Sequence, residues 1–471
     1  LYTHFWNAAK EQLDTKEGGG PYDTPFVHAD EVEQSWSLAL FPEFIKREDE
    51  VVTKAYPLLP PGHINNSAER GVGPIKWYNA FGSCAMECIV QPEGVIGNPK
   101  LADAEKARAG VERTLDYLEK LVNDILEKYP AGDLRIEEVE LPPLRDDQIL
   151  IKLIACGICQ SDVECFEGES AEGRYDLGPY TPGHEWVGRA VELGKNVTSV
   201  KIGDKVVGDC VLPCHQCANC KDGKMSSACL NMREVGFRPD SPGGFGEYMI
   251  LEEAYTHVIP EDWSNEVGIF VENFNVGYWG VWGNGCNPDA SDVCVIIGGG
   301  PIGCSASMVC ATSGATVIVV DPVESRRENA MKYGADYTVD PTAGDVEQQI
   351  KELTNGRGAD VVIECSGNDI GIASLFDIAG HSARVGCVGH SIGRKVPVEI
   401  GKTIWKTLHI AGSGGTTNWF PRTIRFMSKI KDKYDFEGLV SHYYKFEDLA
   451  EAMEMARNKA VARKVMLTFD E

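Results

Sequence analysis

Residues 293–303 read Val293-Cys-Val-Ile-Ile297-Gly298-Gly-Gly300-Pro301-Ile302-Gly303, an apolar run that passes directly into a glycine-rich turn. Apolar residues continue at helical positions after the turn, so the pattern predicts a strand, a tight turn and a helix. In such a unit Gly298 permits the turn, Gly300 lets the backbone approach a pyrophosphate, and Gly303 allows the helix to pack closely on the strand. The helix N-terminus would face the phosphates. The sequence therefore predicts a dinucleotide site.

An acidic residue, Asp321, ends the next predicted strand and supports that interpretation, since a lone G-x-G-x-x-G is weak evidence. Its carboxylate would accept hydrogen bonds from the ribose hydroxyls and repel a 2′-phosphate, so NAD is favoured over NADP. Arg326, on the following turn, could lie along the adenine or the ribose, or could be a solvated helix residue. The predicted cofactor-binding residues are Gly298, Gly300, Pro301, Ile302, Gly303, Asp321 and Arg326.

Three regions follow along the chain. Residues 101–128 have apolar positions at helical spacing and end at a Tyr-Pro-Ala-Gly break, which closes a first region of residues 1–130. Short β-type runs separated by glycine and proline turns then indicate a β-rich domain of residues 131–275, to which residues 412–471 return. Between them, in residues 276–411, continuous apolar runs alternate with helical stretches, as in a buried, doubly wound parallel sheet. The fold class is α/β.

Composition excludes several classes of partner. A net charge of −26 opposes binding to nucleic acid and to anionic membrane surfaces. No run of about 20 apolar residues predicts a transmembrane helix, and no secretory segment is visible. A chain of 471 residues has no need of a disulfide framework for its sixteen cysteines, so a reducing cytoplasm is expected.

Four cysteines lie close together in a C-x-x-C-x-x-C pattern with a further cysteine behind it: Cys214, Cys217, Cys220 and Cys229. Such spacing suits tetrahedral thiolate coordination of a structural zinc ion. Cys210 is a competing thiolate, so the fourth ligand is either Cys229 or Cys210.

A second constellation offers one thiolate, one imidazole and two carboxylates, from Cys159, His184, Glu185 and Glu272. A catalytic zinc ion keeps three protein ligands and an open position for substrate. The alternative for His184 is an ordinary core histidine. Glu272 lies in an apolar run, where an unpaired buried charge would be costly and a metal partner would remove that cost.

The motifs Cys156-Gly-Ile-Cys159-Gln-Ser-Asp162, Gly183-His184-Glu185 and Val271-Glu272-Asn273-Phe274, together with the cysteine cluster and the glycine-rich turn, resemble the zinc-dependent medium-chain dehydrogenases. The polyol branch, with sorbitol, threonine and inosose-type dehydrogenases, is most similar. The resemblance implies a GroES-like catalytic domain of residues 131–275 and 412–471 and a Rossmann domain of residues 276–411.

The resemblance also implies an activity: NAD-dependent oxidation of a secondary alcohol of a polyol, sugar or cyclitol to a ketone by hydride transfer. Cys159, His184 and Glu185 would bind the catalytic zinc, and Glu272 would bind it directly or through water. Asp162 would orient a ligand, and Ser161 would take the substrate proton into a relay. Relatives of this kind are dimers or tetramers, so a homo-oligomer is expected.

Three features depart from the family pattern. Eight residues separate Cys220 from Cys229, where the usual loop has seven. Glu164 stands where relatives often have a histidine, so the proton exit route would differ. The usual opening β-strand is absent before residue 133. Among the tryptophans, Trp279, Trp282, Trp405 and Trp419 could line a sugar-stacking pocket, but core packing is the favoured interpretation for each.

Residues 1–130 lie outside the dehydrogenase pattern. His28-Ala-Asp-Glu-Val-Glu33-Gln-Ser35 resembles the creatininase motif H-A-G-x-x-E-T-S, and Gly94-Val-Ile-Gly97-Asn-Pro99 resembles that family's C-terminal signature. The match covers only the later half of such a domain, without the earlier H-x-E pair, so an inactive remnant or assembly module is favoured. The alternatives are a metal-dependent hydrolase in this segment, a bifunctional fusion remnant, or two ordinary polar residues before a helix. Some creatininase-like hydrolases act on oxidised inositols.

Overall fold

The computed structural model describes residues 31–40, 42, 101–128, 132–168, 179–283, 285–389, 395–414 and 419–470. The chain divides into two compact units, residues 1–130 and 131–471. In the first unit α1 (Glu31–Leu40) packs against α2 (Ala104–Lys128), which is the helix that the apolar spacing predicts. Ser35 Oγ accepts a hydrogen bond from the Asp103 N–H at 3.0 Å, and Trp36 and Ala107 are buried.

The second unit contains a β-rich sheet of seven strands. They are β1 (Gln148–Ile158), β2 (Glu185–Leu193), β3 (Lys205–Gly208), β6 (Tyr248–Glu252), β7 (Thr256–Val258), β14 (Val440–Lys445) and β15 (Lys464–Thr468). The order is β14-β15-β1-β2-β3-β7, with β6 also paired to β1. Two short strands, β4 (Val211–Leu212) and β5 (Arg233–Glu234), form a separate ribbon. The C-terminal strands β14 and β15 thus join the sheet that residues 148–258 begin, where the sequence predicts their return.

The second sheet is parallel throughout and has six strands. They are β8 (Val293–Ile297), β9 (Thr316–Val320), β10 (Tyr337–Val339), β11 (Ala359–Glu364), β12 (Ala379–Cys387) and β13 (His409–Gly412). The strands lie in the order β10-β9-β8-β11-β12-β13. The chain therefore builds the sheet outward from β8 first on one side and then on the other, as in a Rossmann fold. The predicted α/β fold class, a β-rich domain with a doubly wound sheet, is confirmed.

Ten helices of the described chain accompany the two sheets. They are α3 (Gln160–Phe166), α4 (Ala218–Lys221), α5 (Asn265–Tyr278), α6 (Pro301–Thr312), α7 (Glu324–Lys332), α8 (Val346–Leu353), α9 (Asp369–Ile378), α10 (Gly401–Trp405), α11 (Phe420–Ile430) and α12 (Leu449–Arg457). Helices α5, α6 and α11 contribute to the core on one face of the parallel sheet, and α8 and α9 cover the other. Because both faces are buried, the strands are continuously apolar. Helix α5 also packs on β2, so it connects the two sheets.

Two observations concern the surface. Residues 132–147 contain no strand, in agreement with the missing opening strand, and Val139 on this segment is exposed. Trp405 is 76% exposed, so the prediction that it packs in the core is wrong. It ends the short helix α10, and its ring lies edge-on to that of His381 with 6.4 Å between the ring centroids. No helix among the described residues is long and apolar enough to cross a bilayer.

Candidate metal and dinucleotide sites

Cys159 is placed by the junction of a strand and a helix. Strand β1 ends at Ile158, and Cys159 is the N-cap residue of α3 with an extended backbone. The backbone N–H of Cys159 donates to Asp162 Oδ2 at 2.8 Å, and the N–H of Gly183 donates to the other oxygen at 3.4 Å. Asp162 therefore fastens the segment that carries Cys159 to the segment that carries His184.

His184 follows Gly183, a position where no residue with a Cβ atom would fit. Gly183 has a φ of +96°, and a Cβ there would lie 2.4 Å from the ring of Phe245. The turn places Glu185 as the first residue of β2, paired with Gly157 of β1. The His184 ring lies 4.9 Å from that of Phe237, and its Nδ1 faces Asp162 Oδ1 at 3.6 Å, beyond hydrogen-bond distance. This buried Nδ1 has no hydrogen-bond partner among the residues that the structure describes.

The sulfur of Cys159, a ring nitrogen of His184 and a carboxylate oxygen of Glu185 all lie within 4.8 Å of one another. One thiolate, one imidazole and one carboxylate are the donors of a three-ligand zinc site. Burial by itself disfavours a charged imidazole, but the surrounding acids, Asp162 first, raise the pKa of His184 well above its ordinary value. The pocket is therefore electronegative, and the donor set fits a zinc ion.

Glu185 has a partner that the sequence did not indicate. The ammonium of Lys464, on β15, lies 2.7 Å from Oε1 and 2.5 Å from Oε2 of Glu185. Burial opposes the charge of Lys464, but Glu185 outweighs it and raises the pKa of the ammonium. The sequence did not indicate this role for Lys464. It is the first residue of an apolar strand, and a lysine at the end of a strand is usually exposed to solvent.

The other predicted residues of this site lie around the three ligands. Glu272 is on α5 and partly buried. Its carboxylate does not belong to the group of described ligand atoms that lie within 4.8 Å of one another. Burial raises the pKa of the Glu272 carboxyl to about 7. Ser161 lies in the first turn of α3, two residues after Cys159, and is partly exposed. Glu164 is on the same helix.

The four-cysteine cluster forms around the ribbon of β4 and β5. Its sulfurs, those of Cys214, Cys217, Cys220 and Cys229, lie within 4.8 Å of one another, and Cys210 is outside this group. The Cys217 sulfur is 3.4 Å from that of Cys220 and 3.9 Å from that of Cys229. Tetrahedral zinc with Zn–S bonds of about 2.3 Å separates sulfurs by roughly 3.8 Å, whereas a disulfide needs about 2.05 Å. The geometry fits zinc.

Backbone N–H groups support these sulfurs. Those of Gln216 and Cys217 donate to Cys214 Sγ at 3.5 and 3.3 Å and lower the pKa of that thiol to about 6. The N–H of Cys214 donates to Cys229 Sγ at 3.2 Å. Donors aimed at sulfur stabilise the thiolate, which is the form that binds metal.

The glycine-rich turn has the geometry that a pyrophosphate requires. Gly298 has a φ of +96°, and Gly300 is the N-cap of α6, with Pro301 and Ile302 in its first turn. A Cβ on Gly300 would meet no atom within 4 Å, whereas a Cβ on Gly303 would lie 1.8 Å from the carbonyl oxygen of Gly298. The space beside Gly300 and the helix N-terminus fit an anionic phosphate group.

Asp321 is buried and holds the turn. Its Oδ2 accepts from the Gly299 N–H and its Oδ1 from the Val323 N–H, both at 2.8 Å. Each oxygen retains a lone pair for a ribose hydroxyl. Arg326 lies 3.9 Å from Asp321 Oδ2 and donates to the Lys459 carbonyl at 2.7 Å, so it bridges toward the β-rich part.

In the N-terminal unit, His28 lies outside the described residues, and Glu33 is a residue of α1. The creatininase motif therefore has no site geometry in the described part of the chain.

Comparison with protein families gives three matches. The model of the alcohol dehydrogenase GroES-like domain matches residues 145–261, and that of the zinc-binding dehydrogenases matches residues 301–429. The creatinine amidohydrolase model matches residues 2–122. Both resemblances that the motifs predict are confirmed.

Individual relatives follow the same division. The 3-dehydro-scyllo-inosose hydrolase of Thermotoga maritima is 53% identical over 131 residues, 28% of this chain and 42% of that protein. The chain thus spans less than half the length of that relative. An L-threonine 3-dehydrogenase of Shewanella putrefaciens is 30% identical over 70% of this chain and 94% of that protein. The sorbitol dehydrogenase of Bacillus subtilis is 28% identical over 69% and 90%.

Solved structures with the same fold include two that contain a nicotinamide dinucleotide. A zinc-binding dehydrogenase of Sinorhizobium meliloti bound to NADP has a TM-score of 0.64 and 28% identity, over 72% of this chain and 96% of that chain. An alcohol dehydrogenase of Escherichia coli CFT073 in complex with NADH has a TM-score of 0.65 and 26% identity, over 72% and 96%.

Proposed function

The chain belongs to the zinc-binding alcohol dehydrogenases, oxidoreductases that act on CH–OH groups, and from that we propose that it oxidises a secondary alcohol of a polyol, sugar or cyclitol to a ketone. The observation that carries the proposal is the convergence of Cys159, His184 and Glu185 on one position in a chain that also has the glycine-rich turn. The same position in the fold would hold a catalytic zinc, and the four-cysteine cluster a structural one. Reduced thiolates at both sites suit the cytoplasm.

When bound, zinc would lower the pKa of a coordinated substrate hydroxyl by several units, and an oxidised nicotinamide would accept the hydride. The chain's own residues supply position and proton transfer. Cys159, His184 and Glu185 would hold the ion, and Asp162, which accepts from the backbone N–H groups of Cys159 and Gly183, would keep the segments that carry these ligands in place. Ser161, with its hydroxyl in the first turn of α3, takes the proton from the substrate hydroxyl. Glu272 would bind the ion directly or through water.

NAD is the proposed acceptor. Asp321 places a carboxylate at the end of β9, where a 2′-phosphate would meet a negative charge, while ribose hydroxyls would find acceptors. Related structures contain NADP in one protein and NADH in another, so the fold alone does not decide the preference. The Asp321 carboxylate supports NAD.

Cyclitols are the first substrate class to test. The hydrolase relative is named for 3-dehydro-scyllo-inosose. That compound differs from scyllo-inosose by one further oxidised ring carbon. Oxidation of one secondary hydroxyl on the mono-ketone would produce it. In this chain a segment similar to that hydrolase is covalently joined to a dehydrogenase, which supports a keto-cyclitol as the substrate. The similarity to sorbitol dehydrogenase supports polyols more broadly.

We expect the full chain to form NADH with cyclitols or polyols and to prefer NAD to NADP by at least about tenfold, on the order of 1.4 kcal/mol. The measurement is absorbance at 340 nm over a panel of inososes, inositols, linear polyols and L-threonine, with and without a zinc chelator. Asp321→Ser should reduce the preference for NAD. Absence of turnover with every class, or chelator-insensitive turnover, would refute the proposal.

For the N-terminal unit we propose a role as an assembly module. The creatinine amidohydrolase match covers residues 2–122, and the part of that range that the structure describes holds the packed helices α1 and α2 without a cluster of metal-ligating side chains. Hydrolysis of a cyclic diketone by the full chain, abolished in His28→Ala, would instead establish a bifunctional enzyme.

We further propose that two copies associate through the edge of the parallel sheet. Strand β13 is the last in the order of the described strands, and the neighbouring helix α10 presents Ile404 at 83% and Trp405 at 76% exposure. An unpaired strand edge beside apolar side chains is typical of a site for self-association.

We expect wild type to sediment as a dimer or larger assembly at micromolar concentration and Trp405→Arg to sediment at lower mass, because a buried arginine would lack a partner. Val139→Arg, at an exposed apolar position remote in sequence, is the matched control and should retain the wild-type mass. Sedimentation equilibrium measures both. A monomeric wild type would contradict the proposal.

A further inference from the structure

One buried ammonium contacts the immediate surroundings of all three candidate zinc ligands. Lys464 Nζ donates to both carboxylate oxygens of Glu185 and, at 3.2 Å, to the carbonyl oxygen of Ile158. Ile158 directly precedes Cys159, and Glu185 directly follows His184. Lys464 is 4% exposed and Glu185 is 1% exposed.

Three adjacent strands fix this arrangement. Strand β15 pairs with β1, where Ile158 lies opposite Val465, and β1 pairs with β2, where Gly157 lies opposite Glu185. The lysine side chain thus reaches across β1 to the first residue of β2. Its three N–H groups have three acceptors, so the buried ammonium is fully satisfied.

The pair limits what Glu185 can give to a metal. A carboxylate has about four lone-pair positions, and two of them face the Lys464 ammonium. Each oxygen keeps one position, so Glu185 can bind zinc while paired, but its negative charge is shared with the lysine. A ligand that shares its charge neutralises the cation less.

The charge balance of the pocket points the same way. The Cys159 thiolate and the Glu185 carboxylate supply two negative charges, which match one divalent ion. Asp162 adds a third, and Lys464 offsets it. The Glu272 carboxyl, whose pKa burial raises to about 7, carries only part of a negative charge near neutral pH. Without Lys464 the pocket would be one unit more negative, which strengthens retention of a cation and weakens its action on a bound hydroxyl.

We propose that Lys464 is a positioning residue that competes with the catalytic zinc for Glu185, so that the ion is held less tightly and remains strongly electrophilic. The inference rests on the proposed function, because it requires zinc at Cys159, His184 and Glu185. It concerns a residue outside the ligand set, and it predicts a change in metal retention that a merely structural lysine would not cause.

The test is the rate at which a chromogenic chelator removes zinc from the full chain. We expect Lys464→Met to release the catalytic zinc at least about tenfold more slowly than wild type and to shift the pH profile of kcat toward alkaline pH. Lys464→Arg, which retains the positive charge, should release zinc within about threefold of wild type. Lys205→Met is the matched control, since Lys205 is a buried lysine bonded to the Trp263 carbonyl, and its zinc release should equal that of wild type.

Lys464→Gln covers the case in which Lys464→Met does not fold, because its amide N–H group can still donate to Glu185 without a positive charge. Its zinc release should also be slower than that of wild type, since the charge of Lys464 is what weakens the hold of Glu185 on the ion. Release equal to or faster than wild type in the variants that fold would overturn the inference alone. A wild-type chain with zinc only at the four cysteines would overturn the proposed function together with the inference.

Discussion

His184→Ala should lower the zinc content from two ions per chain to one and reduce turnover by a factor on the order of 10³ or more. The ring nitrogen of His184 is one of three donors within 4.8 Å, and two remaining donors could not hold the ion against water. The Lewis-acid contribution of a catalytic metal is several kcal/mol, and each 1.36 kcal/mol is tenfold in rate, which gives the estimate. Elemental analysis and steady-state kinetics measure the two effects.

His442→Ala is the matched control. That histidine is partly buried on β14, where its Nδ1 lies 2.9 Å from Ser441 Oγ, and it belongs to neither described ligand group. It should keep two zinc ions per chain. Both variants should keep the wild-type far-UV circular dichroism spectrum, and His184→Ala should unfold at a lower temperature because it loses the stabilisation that bound zinc gives the folded chain. Retention of two zinc ions and full turnover in His184→Ala would contradict the site assignment.

The local patterns of the sequence were sufficient for the parallel sheet and its turn. Val293–Ile297 is continuously apolar because both faces of a parallel strand are covered. Gly298, Gly300 and Gly303 are each required by a different steric constraint of the turn. These constraints act within a dozen residues. A pattern of residue types over that distance is enough to predict them.

Contacts between distant segments could not be predicted in this way. Lys464 meets Glu185 across 279 residues because β15 lies beside β1, and no local pattern contains that pairing. The exposure of Trp405 likewise depends on what surrounds α10 and not on the residue type. The distance of Glu272 from the three ligands depends on how α5 packs on the first sheet, which only the tertiary structure determines.

The cysteine cluster supplies the second large effect: Cys229→Ser should lose the structural zinc and destabilise the chain by on the order of 4 kcal/mol. The sequence left Cys229 and Cys210 as alternative fourth ligands. The structure places Cys229 Sγ with the other three sulfurs, 3.9 Å from that of Cys217, and leaves Cys210 outside. A serine hydroxyl binds zinc far less strongly than a thiolate, and metal binding contributes directly to folding free energy. Zinc content and thermal unfolding measure the loss.

Cys210→Ser separates the two alternatives. Cys210 Sγ lies 3.8 Å from the Val235 carbonyl, so its weak hydrogen bond can be replaced by that of a hydroxyl. This variant should keep two zinc ions per chain, whereas Cys229→Ser should keep one. The reverse result would make Cys210 the fourth ligand and would require the ribbon of β4 and β5 to shift, because Val211 and Glu234 pair directly beside Cys210. Since that pairing and the thiolate hydrogen bonds of Cys229 both stabilise the observed arrangement, we expect the zinc to depend on Cys229.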